Sequence, residues 1–345
     1  MNMKNQSVGK QSIVFDNPPV IISQASIVGE MEGQGPLGSF FDQIETDPAF
    51  GQDSWELGES EMVRRAVSTA ITKSGLDQSK IKYIFGGDLL GQLIGTTFGL
   101  KDFNIPLFGL YGACSTSGEA LSLAAMTVAG GYAENVIAVT SSHYGGAEKQ
   151  FRFPLEYGNQ RPLSATWTVT GSGAFVVSQT SQETPMLQYP RITSITTGKI
   201  VDYGVRDSMN MGACMAPAAA DTIYQCLEDL DMKATQFDKI ITGDLGKVGS
   251  EIVVKLLNDN GHDISKQHMD CGVNIYSNER QDTHSGGSGC GCAAVTLAGY
   301  ILHNLKQHTW KRILFVPTGA LLSTVSYNEG QTIPGIAHAL VIEQN

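Results

Sequence analysis

Short apolar runs that end in glycine alternate along this chain with longer segments whose apolar residues recur at helical spacing. The helical spacing over residues 59–74 predicts an amphipathic helix, and Gly75 follows as its C-terminal cap. The same reading predicts a second helix over residues 115–129. Buried strands are predicted over residues 81–90, 134–143, 173–179 and 191–200.

The pattern of the first half returns in the second half in the same order. Residues 82–93 (KYIFGGDLLGQL) resemble residues 238–249 (DKIITGDLGKVG), an offset of 156 positions from 82 to 238. Three further pairs keep that order, namely 112–131 with 286–302, 135–142 with 312–319, and 172–179 with 337–344. This recurrence predicts two packed α/β halves, residues 1–190 and 191–345. Loops at the carboxyl ends of their strands are the expected site region.

Composition and charge narrow the class of protein. Hydrophobic residues make up 41% of the chain and charged residues 17%, which is typical of a globular protein with a sizeable core. The formal net charge of −11 argues against nucleic acid as a partner. The sequence has no uninterrupted apolar run of the length that spans a bilayer, and its N-terminus, MNMKNQSVGKQ, lacks the apolar core of a secretory signal.

Cys114 stands in the stretch FGLYGACSTSGEAL, between a predicted strand and the start of a predicted helix. The positive end of a helix dipole favours the thiolate and can lower a cysteine pKa. Free amide groups near Ser115 and Thr116 can hold a carboxylate or an oxyanion. The loop alone leaves two interpretations open, an acyl-accepting nucleophile and a small buried residue at a crowded junction.

The chain has six cysteines, and in a chain of this length they favour free, mostly buried thiols over a disulfide framework. Cys290-x-Cys292 invites a metal interpretation, but a structural zinc site needs four ligands. His262, His268 and Cys271 add only a loose cluster. We therefore predict no metal site.

A duplicated α/β chain with Gly-Ala-Cys-Ser at its first glycine-rich helix entry resembles the thiolase superfamily, which includes thiolases and ketoacyl synthases. The loop THSGGSGCGCAAV, residues 283–295, is similar to the late Gly-His element of that superfamily and aligns His284 with its histidine. The resemblance implies mostly parallel five-stranded sheets in an αβαβα layered arrangement. It also implies a homodimer that buries a sheet edge.

One loop departs from the condensing enzymes of that superfamily, which place another histidine after the first strand of the second half. Here that loop is TGDLGKVGS, residues 242–250, with Asp244 in place of a histidine. A carboxylate ionised at neutral pH would repel the negative charge that forms during condensation. Asp88 and Asp244 occupy the two repeated Gly-Asp-Leu turns, which favours backbone capping, with calcium contact as the alternative.

A closer resemblance covers most of the chain. The blocks EGQGPLGSFFD (32–42), GGDLLGQ (86–92), GACSTS (112–117), TSSHYGGAEKQFRFPLEYG (140–158) and MAPAAADTI (215–223) together resemble the stage V sporulation protein AD family of endospore-forming bacteria. That resemblance implies a non-catalytic thiolase-like protein that binds dipicolinic acid (pyridine-2,6-dicarboxylate). It implies that the protein assists uptake of the acid, with calcium, into the developing spore.

The residues of that binding site follow from the chemistry of a flat dicarboxylate, which needs convergent donors and apolar walls. The predicted ligand-binding residues are Cys114, Ser115, Thr116, Ser117, His143, Arg152 and His284. Lys149 and Arg161 are further candidates to clamp a carboxylate, with a solvated surface charge as the alternative for each. No catalytic residue, cofactor or protein-bound metal is predicted, although calcium is a candidate companion of the ligand.

The resemblance further implies other stage V sporulation A proteins at the membrane as partners, and a peripheral location at the inner spore membrane. The rival hypothesis is an acyl-thioester transferase or condensing enzyme with Cys114 as nucleophile and His284 as base. A third hypothesis is a scaffold for the membrane partners that binds no small molecule.

Overall fold

The computed structural model of this chain describes residues 5–151, 160–180 and 189–344. The strands are β1 (Ser7–Val8), β2 (Ser12–Val14), β3 (Val20–Gly29), β4 (Gln43–Glu45), β5 (Tyr83–Gly87), β6 (Leu107–Gly109), β7 (Asn135–Ser142), β8 (Trp167–Thr168), β9 (Gly171–Ser178), β10 (Arg191–Thr196), β11 (Lys239–Thr242), β12 (His268–Asp270), β13 (Gly287–Ser288), β14 (Arg312–Val316), β15 (Thr318–Ala320), β16 (Gly335–Ala337) and β17 (Ala339–Glu343). The α-helices are α1 (Glu30–Gly33), α2 (Trp55–Ser74), α3 (Ile94–Leu100), α4 (Thr116–Ala129), α5 (Tyr144–Phe151), α6 (Met211–Asp229), α7 (Gly246–Asp259), α8 (Cys271–Ile275), α9 (Cys290–Thr296), α10 (Leu302–Lys306) and α11 (Thr324–Asn328). A π-helical turn, Leu297–Ile301, joins α9 to α10, and 3₁₀ turns cover Gly38–Phe40, Gln78–Lys80, Gly91–Leu93, Lys101–Phe103 and Ala234–Gln236.

The largest sheet has the strand order β12-β11-β14-β17-β10-β3-β9-β7-β5-β6. The two halves meet in this sheet where Val20 on β3 pairs with Arg191 on β10, and where β2 pairs with β10. Outward from this junction each half repeats one order, with β9, β7, β5 and β6 on one side and β17, β14, β11 and β12 on the other. Four of the five strands in each half run in one direction, and β9 or β17 runs against them. The predicted α/β class with mostly parallel strands is confirmed.

Three separate apolar cores explain the layers of the molecule. Helices α2 and α3 pack on the outer face of the first half of the sheet, and α6 and α7 pack on the outer face of the second. The largest core lies between the two halves and contains residues of α4 and α9 together with strands of both. These cores give the αβαβα arrangement that the resemblance implies.

Local signals fix the ends of the elements. The side chain of Ser54 accepts a hydrogen bond from Leu57 N at 3.3 Å at the start of α2, and Gly75 ends the helix with φ of 71°. The helix predicted over residues 59–74 is thus confirmed and begins four residues earlier. None of the helices in the described ranges combines the length and the hydropathy that crossing a bilayer requires.

Candidate functional site

A cleft beside Cys114 is lined by residues that follow the carboxyl ends of β5, β7 and β14, which is the region that the duplicated α/β pattern predicts. It encloses about 460 Å³ of empty space, including the part that is open to solvent. Most of its lining is apolar, and its residues come from both halves of the chain. The lining residues are Leu89, Tyr111, Ala113, Cys114, Ala147, Glu148, Phe151, Thr168, Met211, Ser288, Ala320 and Leu322.

The polar side of the cleft is built by the short parallel ladder of β8 and β13. Thr168 and Ser288 are paired in this ladder, so one hydroxyl from each half stands side by side at the cleft. Thr168 Oγ1 also donates a hydrogen bond to Glu148 Oε1 at 3.1 Å. The cleft therefore combines apolar walls with two hydroxyl groups and one carboxylate.

Cys114 reaches the cleft because the chain turns sharply between β6 and α4. Ala113 has φ of 51°, a left-handed conformation that is uncommon for a residue with a side chain. Thr116 N donates to Ala113 O at 3.2 Å, which closes the turn and begins α4. Cys114 thus stands directly before the amino end of a 14-residue helix, as the sequence predicts.

Burial, and not the helix dipole, decides the ionisation of Cys114. Removal from water, followed by the nearby Asp244 and Cys290, raises the pKa of the Cys114 thiol well above its ordinary value. A helix terminus contributes about 2 kcal/mol at most. Full burial can shift a pKa by roughly 3–5 units, each worth about 1.4 kcal/mol. Burial therefore outweighs the helix dipole, and the pKa of the Cys114 thiol is raised where the helix start alone would lower it.

Asp244 is fully buried. Its Oδ1 accepts a hydrogen bond from Thr318 Oγ1 at 2.7 Å, and its Oδ2 accepts one from Gly289 N at 2.8 Å. Burial raises the pKa of Asp244 to about 7, because removal from water disfavours the charged form.

The two repeated aspartates therefore have different roles. Asp88 caps its own turn, since it accepts hydrogen bonds from Leu90 N at 2.8 Å and from Thr96 N at 2.7 Å. Asp244 accepts its hydrogen bonds from distant segments of the chain, including the backbone N–H of Gly289 at the start of α9. The predicted backbone capping is thus confirmed for Asp88 within its own turn, whereas Asp244 caps the backbone of a distant helix start.

The three hydroxyl residues after Cys114 do not line the cleft. Ser115 Oγ donates to Gly112 O at 2.7 Å, and Thr116 Oγ1 donates to Ala113 O at 2.6 Å. Ser117 Oγ is buried and has no hydrogen-bond partner within the described ranges. Two of these side chains therefore stabilise the turn that presents Cys114, and their predicted contact with a ligand stays a prediction.

The two predicted histidines lie apart from the cleft lining. His143 Nε2 is 2.7 Å from Pro48 O, its Nδ1 accepts from Gly146 N at 3.4 Å, and burial lowers its pKa. His284 Nδ1 is 2.9 Å from Pro162 O, and its Nε2 is 2.9 Å from Asp282 Oδ1. Both imidazoles thus have partners away from Cys114, and no histidine is found among the described residues that line the cleft.

The cationic candidates are also spread out. Arg152 lies outside the described residues, so its predicted role as a carboxylate clamp stays a prediction. Lys149 is half exposed and pairs with Glu56 at 2.9 Å, away from the cleft lining. Arg161 pairs with Asp282 at 2.9 Å and stacks on the Trp167 ring, with its side chain only 5% exposed. The alternative of a solvated surface charge is therefore wrong for Arg161.

All six cysteines are buried free thiols, as the sequence predicts. Cys290 Sγ donates to Ser141 O at 2.9 Å, and Cys292 Sγ donates to Gly243 O at 3.6 Å. In the part of the chain that the structure describes, no group of three or more histidine, cysteine, aspartate or glutamate side chains is arranged to hold a metal ion.

Several cleft residues were not predicted from the sequence. Glu148 and Phe151 lie on α5 within the TSSHYGGAEKQF block, so the block was found but its cleft-facing positions were not. Thr168 and Ser288 reach the cleft only through a ladder between segments about 120 residues apart. For Asp244, the sequence offers only its position at the end of a predicted strand. Asp88 has the same position, so this signal does not distinguish the two aspartates.

Fold and site together define a thiolase-like protein, with a cysteine presented at the start of a central-layer helix. One similar solved structure is the 3-oxoacyl-[acyl-carrier-protein] synthase III from Aquifex aeolicus VF5. It is 13% identical to this chain, the match covers 94% of this chain and 99% of that chain, and the TM-score is 0.56. Another is OleA from Xanthomonas campestris with bound cerulenin, with 14% identity, coverage of 96% and 97%, and a TM-score of 0.61. At these identities the likeness shows the fold alone.

The family is shown by two sequence comparisons. The family model of Stage V sporulation protein AD (SpoVAD) matches residues 9–343. The Stage V sporulation protein AD of Bacillus subtilis (strain 168) is 43% identical over 336 residues, which cover 97% of each chain. The chain therefore belongs to the stage V sporulation protein AD family. That family is named for sporulation, whereas the fold is that of condensing enzymes.

Proposed function

We propose that this protein binds dipicolinic acid in the Cys114 cleft without transforming it, and assists its uptake, with calcium, into the developing spore. The observation that carries the proposal is a formed cleft at Cys114 whose lining, within the described residues, holds no histidine. Burial raises the pKa of the Cys114 thiol there, whereas a condensing enzyme needs an activated nucleophile. Membership of a sporulation family supports the biological role.

The chemistry of the cleft suits a flat ring with two carboxylates. Tyr111, Phe151 and Leu89 offer aromatic and apolar walls to the ring. The hydroxyl of Ser288 can donate to one carboxylate, whereas the hydroxyl of Thr168 beside it already donates to Glu148. A calcium ion carried by the ligand as cargo would offset the repulsion from the carboxylate of Glu148, because calcium prefers oxygen ligands.

Calorimetric titration with sodium dipicolinate, with and without calcium chloride, tests this proposal. We expect saturable binding by the wild-type protein. The variant Ser288→Ala should bind about fivefold more weakly, since the lost hydrogen bond is worth roughly 1 kcal/mol. His284→Gln should bind as the wild type does, because its imidazole lies outside the cleft lining. Absence of saturation at millimolar ligand would refute binding by the isolated protein. In the same titration, the variant Arg152→Gln tests whether Arg152 binds a carboxylate of the ligand, as predicted.

The second candidate function is acyl transfer, which is favoured by the condensing-enzyme fold and by the position of Cys114 before α4. It requires a thioester on Cys114 after incubation with an acyl-coenzyme A. We expect the intact mass of the protein to stay unchanged, because the pKa of the buried thiol is raised. An adduct that Cys114→Ala abolishes would establish the enzyme instead.

We further infer a homodimer that pairs β6 of one protomer with β6 of a second copy. This strand ends the sheet order, and its Leu107 and Phe108 are 39% and 52% exposed. An edge strand with exposed apolar side chains readily pairs with another chain. Sedimentation equilibrium should give a dimer for the wild type and a monomer for Phe108→Lys. A wild-type monomer at micromolar concentration would contradict the inference.

We infer from family membership that the protein works beside other stage V sporulation A proteins, as a peripheral component at the inner spore membrane. The ligand-binding and scaffold hypotheses differ in what the cleft does there. If the protein were only a scaffold, variants with a blocked cleft would still support dipicolinic acid accumulation in spores. On the binding hypothesis, such variants assemble with their partners but accumulate little of the acid.

A further inference from the structure

Two segments that are distant in the chain run side by side into the cleft and meet in the ladder of β8 and β13. Trp167 N donates to Gly286 O at 2.8 Å. One step further in, Val169 N donates to Ser288 O at 2.8 Å. Each strand has only two residues, and a pair of strands this short is marginally stable on its own. The position of the Ser288 hydroxyl in the cleft therefore depends on what holds the two segments together outside the ladder.

Arg161 joins these two segments ahead of the ladder. Its Nη2 donates to Asp282 O and to Asp282 Oδ2, both at 2.9 Å. Its guanidinium carbon lies 4.9 Å from the centre of the Trp167 ring. Trp167 is the first residue of β8, and Asp282 stands five positions before β13 begins at Gly287. One side chain thus ties together the segments that supply both strands of the ladder.

The Trp167 ring is also held by the helix that forms another wall of the cleft. The Tyr144 ring stacks on it, with ring centroids 4.0 Å apart and an angle of 15° between the planes. Since two groups cannot occupy the same face of one ring, the indole lies between Tyr144 and Arg161. Tyr144 is the first residue of α5, which carries Glu148 and Phe151 of the cleft lining. The stack therefore connects the ladder to α5.

The guanidinium of Arg161 is committed to these contacts. Its side chain is only 5% exposed, and its Nε and Nη1 are buried without a hydrogen-bond partner within the described ranges. The Trp167 ring and Asp282 are therefore the groups that hold this desolvated cation in place. Arg161 is absent from the lining of the cleft, so its contacts act on a ligand there only through other residues.

We propose that Arg161 is a positioning residue for the cleft, because its guanidinium fixes the ladder that presents the Ser288 hydroxyl to the ligand. This inference rests on the proposed function, because it takes the ligand to be dipicolinate. Arg161 thus acts through Ser288 and not as the carboxylate clamp that the sequence suggests. Loss of Arg161 releases the Asp282 segment, and the expected cost is that of the Ser288 hydrogen bond, about fivefold in affinity.

A double-mutant cycle, measured by calorimetric titration with sodium dipicolinate, tests this role. We expect Arg161→Gln to raise the Kd about fivefold, as Ser288→Ala does. The double variant should have the same Kd as either single variant, because both substitutions remove the same hydrogen bond. Wild-type affinity of Arg161→Gln would overturn the inference. Effects that multiply, to about 25-fold in the double variant, would also overturn it, since Arg161 would then act independently of Ser288.

Two further variants separate position from charge. Arg280→Gln removes the same charge at an exposed position two residues before Asp282, and it should bind dipicolinate as the wild type does. Arg161→Lys keeps the charge, but an ammonium group cannot lie flat on the Trp167 ring while it donates to two oxygens of Asp282. We expect this variant to bind as weakly as Arg161→Gln. Wild-type affinity of Arg161→Lys, or a fivefold loss in Arg280→Gln, would assign the effect to charge and overturn the inference.

Circular dichroism checks that each variant is folded, and Arg161→Lys carries the test if Arg161→Gln does not fold. Failure of this inference differs from failure of the proposed function. Saturable binding by the wild type, together with multiplied effects in the cycle, would overturn the role of Arg161 and leave dipicolinate binding in place. Absence of saturation by the wild type would overturn the proposed function and this inference together.

Discussion

Ala147→Leu is expected to weaken dipicolinate binding strongly and to leave the protein folded. Ala147 lies on α5 beside Leu89, Cys114 and Cys290, and its side chain faces the cleft. The three added carbons extend into empty space, so they displace ligand and not protein atoms. We expect the Kd to rise about 100-fold, which corresponds to about 2.7 kcal/mol of lost contact. Calorimetric titration measures the change, and circular dichroism checks the fold.

The matched control at this position is Ala147→Ser, which adds one oxygen and little volume. It should bind dipicolinate within about threefold of the wild type, because the ring still has its space. Normal binding by Ala147→Leu would show that the ligand occupies another part of the molecule. The cleft beside Cys114 would then lose its proposed role.

Gly87→Ala is expected to destabilise the protein strongly. A methyl group at Gly87 would lie 2.1 Å from Leu110 O and 2.7 Å from Thr116 Cγ2. Leu110 cannot move away freely, because its N–H donates to Gly86 O at 2.8 Å. Overpacking against backbone atoms should lower the free energy of unfolding by about 3 kcal/mol. It should also shift the turn that presents Cys114 and weaken ligand binding.

Denaturation by urea, followed by circular dichroism, measures this effect against Gly146→Ala. Gly146 lies within α5, and the nearest atom to an added methyl group is Leu90 Cδ2 at 3.5 Å, an ordinary contact. Alanine is the better helix former, so this variant should be as stable as the wild type or more stable by up to about 1 kcal/mol. Equal stability of the two variants would show that strand β5 does not approach Leu110 as closely as described.

The sequence by itself determined the architecture and the location of the site. The recurrence of residues 82–93 at 238–249 predicted strands that do become β5 and β11, with matching positions in the two halves of the sheet. Helix α2 and its cap at Gly75 also followed from local spacing. These features are readable because apolar periodicity and glycine turns act over a few residues, and because the chain repeats them. The position of Cys114 before a helix is readable from the sequence for the same reason.

Only the tertiary structure decided the chemistry of that site. The pKa values of Cys114 and Asp244 depend on burial and on each other, and these two residues are 130 positions apart in the chain. The ladder that brings Thr168 beside Ser288 joins the two halves, whereas His143 and His284 bond to carbonyl groups elsewhere. A local pattern carries no information about desolvation or about partners from distant segments. For this reason the sequence located a cysteine at a helix start, and the fold buried it and raised its pKa.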